Sequence, residues 1–151
     1  MIVLLVFATL LCLLCAVLRR VPAGHVQSLH RRGRPPRMLE AGLHLVLPGL
    51  DRLGHRIDLT GQILQFRDAP AGASGVCGKV YWQVLEPERV DPVIERADQL
   101  IRDSALEALH GEETGPGRSD HRALGSRLKR ILNGALRERG LMVTRVELEL
   151  A

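Results

Sequence analysis

From Met1 to Leu18 the chain reads MIVLLVFATLLCLLCAVL, with Thr9 its only clearly polar side chain, and the run stops at Arg19 and Arg20. A helix of this length reaches about 27 Å, close to the ~30 Å hydrocarbon core of a bilayer. Twelve of its eighteen residues are Leu, Ile, Val or Phe, which together favour insertion by roughly 4 to 7 kcal/mol. The pattern predicts an uncleaved transmembrane anchor over residues 1–18. A signal peptide needs a basic start, a shorter apolar core and a small-residue cleavage site. Here no Lys or Arg precedes the run, and a double Arg follows it. Cys12 and Cys15 suggest a lipoprotein site, but Leu14 stands where a small residue should precede the modified Cys.

Beyond the anchor the period changes from helix to strand. Val21-Pro22-Ala23-Gly24 breaks the helix, and His25–His30 alternates as a strand. Arg31–Pro36 is a basic turn. Leu43, Leu45 and Leu47 share one strand face, with His44 on the other. A strand over Arg56–Phe66 has its alternation broken at Thr60-Gly61, which predicts a bulge. Ala69–Gly75 is a loop, and Lys79–Leu85 is a strand ended by Glu86-Pro87. Apolar residues then recur at helical spacing from Val90 to Leu109, with Asp91 as N-cap and Pro92 at the first helical position. Gly115-Pro116-Gly117 is a linker. Ser119 or Asp120 caps a second helix that runs to Arg139, with Gly140 as the residue beyond its end. Met142–Leu150 alternates as a final strand. The expected fold class is α+β: an N-terminal transmembrane helix, then one mixed or antiparallel sheet with two helices on one face.

Charge adds an orientation. Arg19, Arg20, Arg31, Arg32, Arg34 and Arg37 lie between the anchor and the second strand with no acid among them. This basic juxtamembrane segment, 19–37, puts the body in the cytoplasm by the positive-inside rule. The expected location is a single-pass protein of the inner cell membrane. Arg19, Arg20, Arg31, Arg32 and Arg34 are the candidate contacts to anionic lipid headgroups, against the plainer reading that they only set topology. Leu45 and Leu47 are candidates to enter the membrane interface, although core packing is the commoner fate of half-buried Leu. Net charge is +4 and mean hydropathy is +0.04. With two Phe, one Tyr and one Trp, base-stacking surfaces are scarce, which argues against single-stranded nucleic acid. The three Cys form neither a disulfide framework nor a zinc pattern.

No catalytic constellation stands out. The six His have no HxxxH or HExxH spacing, so no metal is expected. Ser74 and Ser104 lack a nucleophile-elbow context. HGEETGPG lacks the ending of a phosphate loop. Glu112-Glu113 and Glu147/Glu149 read as solvated charge. The expectation is a non-enzyme without a cofactor.

Three segments resemble one family. Glu40-Ala41-Gly42-Leu43-His44-Leu45-Val46-Leu47-Pro48, extended by Leu39, Asp51, Arg56, Asp58, Leu59 and Gln62, is similar to a stretch of the stomatin, prohibitin, flotillin and HflK/HflC superfamily, the SPFH or band 7 domain. Val80–Pro87 resembles that family's VYYRVxDP, and the C-terminal LRERGLMVTRVELELA resembles its closing strand. The resemblance runs over about 21–151, and an anchor before it is usual in the stomatin branch. The stretch between Phe66 and Val80 is shorter than the family pattern. Members continue past the last strand into a long charged helix that closes rings, whereas this sequence reaches Ala151 directly after that strand, a departure that bears on ring assembly.

The resemblance implies a membrane-anchored, self-associating scaffold, a homo-oligomer that contacts anionic lipid and organises or regulates neighbours such as a membrane protease or transporter, as in protein quality control. A competing expectation is a monomeric or dimeric adaptor for one membrane enzyme. The HflK/HflC branch would also allow a periplasmic body.

Overall fold

The computed structural model describes residues 1–68, 76–113 and 121–150. The apolar run forms helix α1 over Ile2–Val17. Leu18 leaves it in an extended conformation, φ −78° and ψ 122°, because its backbone joins a ladder. Strand β1 (Leu18–Val21) pairs antiparallel with β4 (Gly42–Leu45), Leu18 facing Leu45 and Arg19 facing His44. The helix therefore has 16 residues, about 24 Å. Among the described residues no helix is long and apolar enough to cross a membrane. This corrects the transmembrane anchor expected over residues 1–18. The membrane-anchored fold class and the single-pass inner-membrane location fall with it, since the positive-inside argument has no span to orient.

The strands also depart from the single sheet expected. Among the described residues they form three antiparallel sheets, with orders β1-β4, β3-β2-β5 and β6-β7-β8, and the chain divides into two compact units, Met1–Asp58 and Leu59–Ala151.

In the first unit, β2 (His25–Arg31) runs between β3 (Arg37–Leu39) and β5 (Asp51–Asp58). A register shift between Gln27 and Leu29 lets the adjacent Ser28 and Leu29 both be buried. Val21, Leu29, Leu39 and Val46 make a core cluster, and Ile57 is fully buried. Core packing for Leu45 and Leu47 is overturned: Leu45 is 59% exposed and Leu47 37%. Val46 goes inward instead, its N–H donating to the Val17 carbonyl at 2.9 Å.

The strand expected over Arg56–Phe66 is two strands. β5 ends at Asp58 and β6 (Gln62–Asp68) belongs to another sheet, so Thr60-Gly61 is a break and no bulge. In the second unit β6 pairs with β7 (Val76–Val84), which pairs with β8 (Leu141–Leu150). One turn of helix, α2 (Pro87–Val90), and a 3₁₀ segment (Asp91–Arg96) precede α3 (Ala97–Glu113). Asp91 is the buried first residue of the 3₁₀ segment, and Val90 stands at the N-cap position. Pro92 explains the delayed α-helix, since it lacks the N–H and its ring opposes the carbonyl four residues back. Helix α4 (His121–Leu136) closes with a 3₁₀ turn (Arg137–Arg139). The loop read over 69–75, the Gly115–Gly117 linker and the Ser119 or Asp120 cap lie outside the described residues.

Ile101, Leu109, Leu128, Leu132, Leu136, Val80, Leu141 and Val143 are fully buried in this unit. β8 is an edge strand, and an exposed edge invites foreign strands. Helix α4 covers part of it. The Asn133 carboxamide donates to the Val143 carbonyl at 2.9 Å and accepts from the Val143 N–H at 2.8 Å, taking the place of a neighbouring strand there.

Candidate functional site: a basic cleft on the first unit

The basic residues are brought together by the β2–β5 ladder. β2 ends in His30 and Arg31, whose partners on β5 are Arg52 and Asp51. The chain then turns through Arg32-Gly33-Arg34. Gly33 has φ +79°, a conformation that costs glycine little, and the Arg34 N–H donates to the Arg31 carbonyl at 3.0 Å. His30, Arg31, Arg32, Arg34, Arg52, Gly49 and Leu50 surround a surface cleft of about 460 Å³.

Asp51 is the anchor of this region. Its side chain has no exposed surface. Arg31 Nε donates to Oδ1 at 2.6 Å and Arg31 Nη2 to Oδ2 at 2.9 Å, the bidentate geometry that makes such pairs strong. The Leu47 N–H donates to Oδ2 at 3.0 Å, and the Asp51 N–H returns to the Leu47 carbonyl at 3.0 Å. One carboxylate thus closes the Leu47–Asp51 turn and fixes the guanidinium beside it. The Arg31 hydrogen bonds, then the Leu47 N–H and the Arg31 charge, outweigh the desolvation of Asp51 and hold its carboxyl down at about 2, while the Asp51 hydrogen bonds and charge raise Arg31.

Of the residues singled out from the sequence, Arg31, Arg32 and Arg34 reach the cleft. Arg31 spends its charge on Asp51. Arg19 and Arg20 are exposed neighbours on β1, so they point to opposite faces, and neither lines the cleft. Leu45 lines a smaller adjoining cleft with Arg34 and Arg37. Leu47 sits at the start of the Asp51 turn, whose tip, Leu50, is 60% exposed. Sequence reasoning missed Arg52 and His30. Arg52 falls outside the basic segment in sequence, and only the register of β5 against β2 puts it there.

Several polar groups elsewhere pair with one another. His44 Nε2 lies 2.7 Å from the Glu40 carbonyl, and His110 Nε2 lies 2.9 Å from an Asp68 oxygen. Glu147 is a partner and not simply solvated charge. It accepts from the Tyr81 hydroxyl at 3.0 Å and pairs with Arg145 at 2.6 Å, and the Tyr81 bond to Glu147 raises the phenol's pKa. Lys79 reaches Glu149 at 3.4 Å. Among the described residues no three His, Cys, Asp or Glu side chains come together as a metal site.

No family model matches the chain. The chain is similar to proteins of Mycobacterium bovis and Mycobacterium tuberculosis described as uncharacterized, each 25% identical to it over 137 residues. The match covers 85% of this chain and 36% of each relative, so the chain spans about a third of the length of the curated relatives it matches.

Proposed function

We propose that the chain is a non-catalytic scaffold domain that self-associates, with helix α1 as its assembly element, and that the assembly organises or regulates neighbouring proteins. The observation that supports this reading is the surface of α1. Every residue from Ile2 to Ala16 is exposed, and only Val17 of this helix is buried. A helix that is apolar all round belongs inside something larger. Contiguous apolar surface beyond a few hundred Å² marks an interaction site.

A second copy supplies a partner of matching chemistry, because α1 carries no charge to repel its counterpart. Thr9, its one clearly polar side chain, donates its hydroxyl to the Val6 carbonyl at 2.8 Å and so presents no unmet donor to a neighbouring helix.

The test is a variant with Leu4, Leu11 and Leu14 replaced by Ser, compared with the unaltered chain by sedimentation velocity. Loss of the associated species, with the circular dichroism of the strands and of α3 and α4 retained, is the expected result. An associated species that survives the substitutions removes α1 from this role.

A further inference from the structure

We infer that the cleft between β2, the Arg32–Arg34 turn and the start of β5 is a binding site for a phosphate-bearing anion. Arg31 is neutralised by Asp51. Arg32, Arg34 and Arg52 line the same cleft and make no ion pair among the described residues. Three further arginines therefore line one cleft, and among the described residues no acidic side chain lines it. Holding like charges together costs free energy that an anion offsets. Guanidinium groups also match phosphate oxygens in a planar, two-pronged way that ammonium groups do not.

The backbone that carries these arginines is held in place. Arg52 is placed by its register opposite His30. The Asp51 clasp beside it fixes both the end of β2 and the Leu47–Asp51 turn. Gly49, with φ +95°, carries no side chain into the cleft. At about 460 Å³ the space falls in the ~300–1,000 Å³ range of small-molecule sites. Among the described residues no Phe, Tyr or Trp lines it, so it suits a compact phosphate ester better than a stacked base. Arg31 acts here as a positioning residue. The inference does not depend on self-association, since the whole cleft lies within one copy.

The phosphate could be a lipid headgroup or a free ester, and the experiment separates them. The full chain is titrated calorimetrically with inositol hexakisphosphate, and separately with phosphatidylcholine vesicles with and without a phosphatidylinositol phosphate. Arg32→Gln, Arg34→Gln and Arg52→Gln are compared with the control Arg19→Gln/Arg20→Gln, each checked for an unchanged thermal melt. Each cleft variant is expected to weaken binding about tenfold, the scale of one lost charge-assisted contact, while the control changes it less than about threefold. Equal binding to the free ester and to the doped vesicles assigns a soluble ligand. A preference for the doped vesicles by tenfold or more assigns the headgroup. No binding to either probe would overturn the inference. So would a control as damaging as the cleft variants, or tighter binding to an RNA oligomer than to inositol hexakisphosphate.

Discussion

Arg31 and Asp51 face each other across the β2–β5 ladder and share two hydrogen bonds of 2.6 and 2.9 Å, while the same carboxylate accepts the Leu47 N–H. This pair makes the basic edge a fixed structure. It also gives that edge an acid limit. The Asp51 carboxyl titrates at about 2 in the folded chain against an ordinary 3.8. A carboxyl whose folded pKa is lowered contributes stability above its unfolded pKa and loses it as pH falls through the folded one. The Leu47–Asp51 turn is therefore expected to be fully closed above about pH 4 and to open between about pH 4 and 2. Amide exchange at Leu47, followed against pH, checks this. Asp51→Asn should raise exchange there at neutral pH and remove the acid transition. An Asp51→Asn variant with an unchanged profile would count against the clasp.

The edge cap on β8 predicts a selective cost. Asn133→Ala leaves the N–H and carbonyl of the fully buried Val143 without these partners, at about 1–3 kcal/mol for each group that water cannot reach. Denaturant unfolding followed by the fluorescence of Trp82, the single tryptophan, measures it. The bared edge should also make the variant more prone to aggregate.

Two adjacent leucine-sized residues on α4 should behave oppositely. Leu132 is fully buried, and Leu132→Ala is expected to cost about 2–5 kcal/mol. Ile131 is 44% exposed, and Ile131→Ala should stay within about 0.5 kcal/mol. Equal losses in denaturant melts would mean the helix presents a different face.

Phe66 and Gly78 are cross-strand partners, and the ring lies where a Cβ on Gly78 would stand. This aromatic-over-glycine arrangement pins register. Gly78→Ala should displace the buried ring and destabilise the second unit by about 1–3 kcal/mol, whereas Gly61→Ala, with open space around it, should be near neutral. Thermal melts of both variants decide it.

Local pattern carried the reading furthest where an element's partners follow its own period. The strand read over Lys79–Leu85 is found at Val76–Val84. Gly140 takes the left-handed conformation, φ 80°, that a helix-ending residue needs. Pairings distant in sequence were not legible. Leu18 reads as the last turn of an apolar helix, yet its ladder with Leu45 makes it a strand. Arg56–Phe66 reads as one strand because alternation resumes after Gly61, but its halves pair with different sheets. At the basic edge, composition flagged Arg31, Arg32 and Arg34. It could not show that Asp51 neutralises the first or that Arg52 joins the others, since both depend on the register of a strand some twenty residues away.

On the proposal made above, the exposed apolar helix Ile2–Val17 is buried by other copies of the chain. The most direct measurement is the native mass of the chain by light scattering across a range of protein concentrations. A species of several subunits that persists on dilution is the expected result. A monomer at every concentration would contradict self-association through α1 and favour an adaptor that binds one partner.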